Sequence, residues 1–384
     1  LLGRFDAIQK DIEEILARPA PPRDPRLVIP LAELNRELTD AAGGKMANLG
    51  EIRNRLGLRV PPGFAITTAA AERFFAHREL QTEIDRRLQA AETGRLDALY
   101  ALSAEIQQMI IRAEIPPDVE EAILGAYAAL EAECGPGVKV ALRSSALGED
   151  TGDSSFAGQY RSELNVGRDT LLTAYREVLA SKYGLPAITY RLQRGFRDED
   201  IAMGVGCLAM VPAVAGGVVY SRNPVDPHDA RIFINAVWGL PKAVVDGSTA
   251  CDLFVLSRGD PPELLAAEVR EKERKYLCYP EEGVCRLELT GPERLQPALG
   301  SGQAVALARI ALALEQRVGG DRGAHPDAGD QLGGIQLDGG RLVGSVLLFR
   351  LIEQGGYFVE NRRGDSRRLC GRFVKQHGRR IILV

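Results

Sequence analysis

The chain has 384 residues, of which 45% are hydrophobic and 26% are charged. A chain of this length and composition can bury a sizeable core and is expected to divide into two or more lobes. Its formal net charge is −4, a value that predicts neither a nucleic-acid partner nor a membrane-surface partner. Because no apolar run approaches the length of a membrane span, we expect a soluble protein with no membrane-spanning segment.

The cysteines and histidines give no sign of a disulfide framework or a zinc site. The six cysteines form no CxxC pair, and the four histidines are scattered without metal-ligand spacing. We therefore expect reduced thiols and a cytoplasmic location. There is no signal-peptide pattern, and the first residue is Leu rather than Met, so we expect a piece of a longer protein.

The first 30 residues predict a helix and a linker. Apolar residues recur every three or four positions through residues 1–17, which is the period of an amphipathic helix. Several prolines between Pro19 and Pro25 then favour a stiff, extended segment. The helix could pack on an upstream domain or on the domain that follows it.

Residues 31–57 predict two helical stretches separated by Gly43, Gly44 and Lys45. Glycines followed by Lys at a helix start suit a phosphate, because the first amides and the helix dipole attract anions and the ammonium can reach over them. The segment is not a Walker A loop, since the spaced first Gly and the Ser or Thr after Lys are absent. The alternative is a solvated Lys45 after a helix-breaking turn.

The sequence of residues 60–134 predicts one short strand and several helices, to which we assign no chemical role. A turn at Val60 leads into a short strand, and Thr67 or Thr68 is placed to cap a helix that runs to Arg78. Residues 79–134 are predicted to be helical, with one break at Pro116 and Pro117.

Residues 138–166 predict a strand, a flexible loop and a second strand. The first strand ends in Arg143, whose charged fork suits phosphate oxygens. The loop has little side-chain bulk, so its backbone amides can approach a bound anion. Its central residues are Ser155, Phe156, Ala157, Gly158 and Gln159. The alternative is an ordinary hairpin loop.

The sequence from residue 170 to residue 317 predicts two helices, then three strands, then a final helix. Helical patterns cover residues 170–180 and 187–192, strand patterns cover 201–211, 216–222 and 231–237, and a helical pattern returns at 304–317. Asn223 and Pro224 signal a turn between two of these strands.

Three short blocks of the sequence carry a resemblance to a known family. They are GGKMANL with VPPGFAIT in residues 43–67, RSSALGED with SSFAGQ in residues 143–159, and GGVVYSRNPVD with AVWGL in residues 216–240. In this order they resemble the ATP-binding domain of the phosphoenolpyruvate synthase and pyruvate phosphate dikinase family. The resemblance covers residues 31–320, which is most of the chain.

The resemblance implies an α+β fold, an ATP-grasp-like, two-lobed nucleotide-binding domain with ATP held between the lobes. The implied division is an N-terminal helix and Pro-rich linker at 1–30, a helix-rich first lobe with the phosphate loop at 31–200, a strand-rich second lobe at 201–320, and a divergent basic tail at 321–384. The basic end of that tail predicts a solvated segment, with a phosphate or nucleic-acid patch as the alternative.

The resemblance also implies roles for individual residues. Lys45 and Arg143 would be the catalytic residues that clamp the ATP phosphates, beneath the loop of residues 155–159. Leu208 and Met210 lie on the strand that passes the adenine in the family, although many relatives have Gln at the position of Leu208. Lys242 stands where relatives often have an acidic residue.

The expected metal site is where the sequence departs most from the family. Relatives hold Mg²⁺ with a Glu and a Gln, but this chain has Gly334 and Val346 at the aligned positions, and neither side chain can bind a metal. Polar residues nearby are the expected substitute ligands. They are Asp330, Gln331, Gln336 and Asp338.

We therefore expect a phosphotransferase domain that uses ATP and Mg²⁺ to phosphorylate a His on a separate domain. Full-length relatives also carry that phosphohistidine domain and a pyruvate-binding barrel, which would here be partners on a longer or separate chain. Two alternatives stay open: an antibiotic kinase domain like that of rifampin phosphotransferases, and a catalytically impaired nucleotide-binding module or fragment.

Overall fold

A computed structural model defines the architecture of most of the chain. The described residues are 24–90, 95–146, 150–151, 154–155, 160–194, 202–223, 225–226, 228–245, 247–320, 346–353 and 379–383. The predicted helix of residues 1–17 lies outside them. Among the described residues, no helix combines the length and apolarity that a membrane crossing requires.

The structure contains both helices and antiparallel sheets, which confirms the predicted α+β class. The strands are β1 Val28–Pro30, β2 Gly63–Ile66, β3 Val140–Ala146, β4 Asp150–Thr151, β5 Ser154–Ser155, β6 Ser162–Val166, β7 Met203–Ala209, β8 Ala215–Tyr220, β9 Ile232–Trp238, β10 Asp252–Leu256, β11 Leu264–Glu268, β12 Arg274–Tyr279, β13 Gly283–Glu288, β14 Val346–Glu353 and β15 Arg379–Leu383. The helices are α1 Thr39–Asn54, α2 Thr68–Ala76, α3 Leu80–Ala90, α4 Leu96–Arg112, α5 Pro117–Cys134, α6 Arg168–Ala180, α7 Leu185–Arg194, α8 Lys242–Val245 and α9 Ser301–Gly320.

Two large antiparallel sheets organise these elements. The first has the order β1-β2-β7-β3-β6, and the second has the order β11-β10-β9-β8-β14-β15. The remaining strands form two small hairpins, β4 with β5 and β12 with β13. The β12–β13 hairpin is joined to the end of β9, because Leu240 N–H donates to Tyr276 O over 2.8 Å.

Local signals in the sequence account for several element boundaries. Thr67 caps α2, and its side-chain oxygen accepts a hydrogen bond from Ala70 N–H over 3.2 Å. Pro117 occupies the first turn of α5, where its missing N–H costs no hydrogen bond. Asn223 forms the predicted turn, since its Oδ1 accepts from the amides of Val225 and Asp226.

The two faces of the first sheet pack into different cores. Alternate residues of a strand point to opposite faces, and Val140, Leu142 and Ala146 of β3 are buried against the helical layer. The opposite face joins a second core that continues through α1 to the second sheet and α9. That core includes Ala65, Leu208, Ala42, Met46, Val219, Ile234, Phe254 and Leu307. The two lobes therefore share buried apolar surface.

β7 belongs to the first sheet, although the sequence analysis began the second lobe at residue 201. It pairs with β2 on one side and with β3 on the other. An apolar run of strand length predicts a strand but does not name its partners, which are chosen by pairing across long separations in sequence. The change from the first sheet to the second therefore occurs between Ala209 and Ala215.

Part of the predicted tail extends the second sheet. β14 pairs with β8, with Val346 opposite Tyr220, and β15 pairs with β14. The chain after residue 320 therefore contributes two strands, β14 and β15, to the second sheet.

Candidate functional site

Arg143 lies in the middle of β3, whereas the sequence analysis expected it at the end of a strand. The strand continues through Ser144 and Ser145 to Ala146, and all of these residues pair with β7. Small hydroxylated residues after a strand are typical of a loop, but Ser144 and Ser145 are both buried. Pairing with β7 outweighs the weak preference of serine for strands.

The guanidinium of Arg143 is partly buried and incompletely paired. Its Nε is shielded from solvent and has no hydrogen-bond partner among the described residues. Burial lowers the pKa of Arg143, because removal from water disfavours the charged form. An arginine still retains its charge at neutral pH. A buried cation with an unused donor is suited to an anionic ligand.

Gly43, Gly44 and Lys45 form a kink within α1. Gly43 has φ 77° and ψ 160°, which interrupts the helical backbone, and a Cβ on it would lie 1.8 Å from Ser145 O. A residue with a side chain could not occupy this position without moving the strand. The second part of α1 thus begins at Gly44, as the glycine pair predicted.

The kink lies against the face of the first sheet that carries Arg143. Ser145 is two residues from Arg143 on β3 and therefore shares its face. The hydroxyl of Ser145 accepts a hydrogen bond from Met46 N–H over 3.2 Å. Gly206, the β7 partner of Arg143, lies beneath the side chain of Met46. The structure thus brings the segment of Lys45, which is itself half-buried, to the same side of the sheet as Arg143.

The predicted phosphate loop is only partly described. Ser155 lies in β5, which pairs with β4 in a short hairpin directly after β3. Phe156, Ala157, Gly158 and Gln159 lie outside the described residues. Their assignment to ATP therefore stays a prediction.

The adenine-side candidates differ in their surroundings. Leu208 pairs with Gly63 and with Ala141, and its side chain is buried in the second core. Met210 follows the end of β7 and is half-buried, and its N–H donates to Lys139 O over 2.8 Å. Because this N–H is already used within the protein, a base would have to meet other groups of the segment that joins the two sheets.

The metal-ligand candidates Asp330, Gln331, Gln336 and Asp338 lie outside the described residues, as does Gly334. Val346 begins β14, and its side chain has no metal-binding atom. Among the described residues, no group of three or more His, Cys, Asp or Glu is arranged to hold a metal ion.

Sequence analysis missed an ion-pair cluster at the ends of β8 and β10. Glu315 of α9 accepts from Arg222 Nε over 3.1 Å and from Arg258 Nη1 over 2.9 Å. Burial alone would raise the pKa of Glu315, but hydrogen bonds from Arg258 and Arg222 lower it overall. These residues are far apart in sequence, so no local pattern could have joined them. Lys242, by contrast, is exposed at the start of α8.

Comparison with known sequences agrees with the resemblance seen in the motifs. A family described as "Pyruvate phosphate dikinase, AMP/ATP-binding domain" matches residues 39–322. A probable phosphoenolpyruvate synthase of Methanocaldococcus jannaschii is 33% identical over 292 residues, which cover 75% of this chain and 24% of that protein. A phosphoenolpyruvate synthase of Pseudomonas aeruginosa is 32% identical over 306 residues, which cover 76% and 39%.

A relative with a different name is equally similar. A rifampicin phosphotransferase of Streptomyces sviceus is 32% identical over 296 residues, which cover 77% of this chain and 33% of that protein. The chain spans between 24% and 42% of the length of three curated probable phosphoenolpyruvate synthases. The similarity is thus confined to one part of much longer proteins.

Proposed function

The chain belongs to the family of pyruvate phosphate dikinase AMP/ATP-binding domains, and from this premise we propose that it binds ATP between its two lobes. Lys45 and Arg143 would contact the phosphates, and Ser155 to Gln159 would cover them. The base would lie near Leu208, Met210 and the connection to the second sheet.

The observation that carries this proposal is the meeting of two basic segments on one face of the first sheet. Within the described part of the chain, the buried Nε of Arg143 has no hydrogen-bond partner, and the kink that contains Lys45 is joined to the same strand by Ser145. Two cations beside a helix start form an environment that favours a polyanion.

The chemistry that this site would support is phosphoryl transfer. Such transfer depends on positioning and on stabilisation of charge on the phosphoryl oxygens, with little covalent participation by the protein. Arg143 would bind phosphate oxygens through its planar fork, and Lys45 would contribute a mobile point charge. Burial of Arg143 would strengthen its attraction for the phosphates, because water screens it less.

Mg²⁺ is part of the proposal, and its ligands would come from Asp330, Gln336 and Asp338. When bound, a magnesium ion would neutralise charge on the phosphates. The phosphoryl acceptor would be a histidine on a phosphohistidine domain, with a pyruvate-binding domain completing the reaction on a longer or separate chain. These partners rest on the names and lengths of the relatives.

Calorimetric titration with ATP, with and without Mg²⁺, tests the proposal directly. We expect Arg143→Ala to weaken ATP binding about 10- to 100-fold, because charged hydrogen bonds contribute about 1.5–3 kcal/mol each. Arg73→Ala is a matched control, because Arg73 of α2 is exposed and forms a surface ion pair with Asp118 of α5. That variant should bind ATP as the unsubstituted chain does.

The outcomes separate the candidate functions. ATP binding that requires Mg²⁺ and is lost in Arg143→Ala supports an enzymatic site with substitute metal ligands. Binding that is weak and independent of Mg²⁺ supports the impaired nucleotide-binding module. Absence of any ATP binding overturns the proposal.

A second candidate is an antibiotic kinase domain, favoured by the similarity to a rifampicin phosphotransferase. The ATP site would be the same, and only the acceptor would differ. Phosphorylation of rifampicin, rather than pyruvate, by a full-length protein that contains this chain would support this alternative.

A further inference from the structure

The segment that contains Lys45 contacts the first sheet without an intervening side chain. A Cβ on Gly43 would lie 1.8 Å from Ser145 O, and a Cβ on Gly204 of β7 would lie 2.9 Å from Ala42 O. The backbone before Lys45 therefore lies directly on β3 and β7. Small movements of this segment would change where Lys45 stands relative to Arg143.

One side-chain hydrogen bond joins this segment to the strand of Arg143. The backbone at Gly43 is not helical, so the helical turns of α1 resume at Gly44, and Met46 is the third residue of that part. The first amides of a helix have no partner within the helix, and a side chain at the N-cap usually accepts from the third of them. Gly43 has no side chain to do so. Ser145 Oγ accepts from Met46 N–H instead.

Ser145 is thus shared between the two basic segments. It is 1% exposed, and it lies on the same face of β3 as Arg143. The apolar packing of the segment is separate, because the side chain of Met46 rests on Gly206. Loss of the hydroxyl should therefore loosen the start of the helix while leaving the packing of α1 on the sheet in place.

We propose that Ser145 is a positioning residue that caps the second part of α1 from β3 and thereby sets the position of Lys45 relative to Arg143 for a polyphosphate ligand. The inference rests on the proposed ATP site. The Ser145 hydroxyl acts through Lys45 and has no contact with the ligand of its own.

The test is a double-mutant cycle in which the affinities for two ligands, ATP and adenosine, are measured. Calorimetric titrations with ATP and with adenosine are made on the unsubstituted chain, Ser145→Ala, Lys45→Ala and the double variant. We expect Ser145→Ala to weaken ATP binding about 5- to 10-fold, which corresponds to one hydrogen bond. Adenosine binding should change less than about twofold, because adenosine has no phosphate for Lys45 to contact. In the Lys45→Ala background, the Ser145→Ala effect on ATP should nearly vanish.

A purely structural role for Ser145 predicts different results. Equal losses for ATP and adenosine, or the same fold-change with and without Lys45, would overturn the inference while leaving the ATP site intact. Absence of ATP binding by the unsubstituted chain would instead overturn the proposed function, and the inference with it.

Two further variants complete the design. Ser144→Ala is the matched control, because Ser144 is equally buried but faces the other side of β3, and it should leave ATP binding unchanged. If Ser145→Ala does not fold, Ser145→Cys keeps the volume with a weaker acceptor and should show a smaller loss specific to ATP. Faster hydrogen exchange at the Met46 amide in either Ser145 variant is expected, and unchanged exchange would also overturn the inference.

Discussion

At the scale of single residues, the strongest constraint outside the candidate site is a fully buried ion pair. Lys272 and Asp252 are both 0% exposed, and Lys272 Nζ donates to Asp252 Oδ1 over 2.5 Å and to Arg270 O over 2.9 Å. The carboxylate also accepts from the amides of Arg270 and Ala298. All of these groups are hydrogen-bonded, so the pair can be kept away from water.

Removal of the lysine should leave the buried carboxylate without a counter-charge. We expect Lys272→Met to lower the free energy of unfolding by about 3–5 kcal/mol, measured by urea denaturation. Lys275→Met is the control, because Lys275 pairs with the partly exposed Glu293, and it should cost less than about 1 kcal/mol. Equal losses in the two variants would contradict the importance of burial.

No local pattern in the sequence distinguishes Lys272 from its neighbours. It stands in the stretch VREKERKY, in which charged residues alternate with few apolar ones, a pattern typical of a solvated surface. Its partner Asp252 lies 20 residues earlier in the chain and also accepts from Ala298 N–H, so the contacts around this ion pair come from distant parts of the sequence. Sequence motifs identify the candidate ATP residues. The role of Ser145 could not be predicted, because only the structure shows that β3 continues past Arg143 to Ala146.

At the scale of elements, Glu315 links helix α9 to the ends of strands β8 and β10. It receives hydrogen bonds from Arg222 after β8 and from Arg258 after β10, and Arg258 Nη1 also donates to Ser221 O. The cluster is mostly buried, so its charges are less screened by water than those of a surface pair. It should therefore contribute to the stability of the second sheet.

The lowered pKa of Glu315 makes this contribution depend on pH. A carboxyl with a folded-state pKa below its unfolded value of 4.5 stabilises the protein above that value, and the stabilisation is lost as the pH falls through the folded-state pKa. We expect Glu315→Gln to cost about 1–2 kcal/mol at pH 7 and less near pH 3. Urea denaturation at both values measures the difference. A cost that does not change with pH would show that charge is not responsible.

At the scale of the whole molecule, the β12–β13 hairpin links the two sheets through Asn165. This residue of β6 has φ 61°, a conformation that Asn tolerates better than most residues. Its Nδ2 donates to Pro280 O over 3.1 Å, and its Oδ1 accepts from Cys278 Sγ over 3.3 Å. The edge of the first sheet is thereby joined to a hairpin that is also attached to the end of β9.

Substitution of Asn165 by Asp tests this link with almost no change in shape. Asn165→Asp keeps the tolerance for positive φ but replaces the donor with a carboxylate that faces the Pro280 carbonyl. We expect a loss of about 1–2 kcal/mol and faster amide exchange in the hairpin, measured by mass spectrometry. Unchanged exchange in residues 274–288 would mean that other contacts hold the hairpin.

The fold shows which level of structure the sequence could predict. Local signals predicted a cap at Thr67 or Thr68, a break between helices at Pro116 and Pro117, and a turn at Asn223, because each signal acts within a few residues. Family motifs supplied the fold class and the candidate ligands. The membership of β7 in the first sheet and the pairing of β14 with β8 could not be predicted, because strand partners are chosen over long separations in sequence.

The placement of β7 has a mechanical consequence. Only residues 210–214 separate β7 in the first sheet from β8 in the second, and a fully extended segment of this length spans roughly 20 Å. Its far end is held as well, since Gly239 N–H donates to Val214 O over 2.7 Å. So short a connection limits how far the two lobes can separate by translation. For a nucleotide bound as proposed above, with its base near this connection, a rotation of the lobes about the connection would move the phosphate end further than the base end.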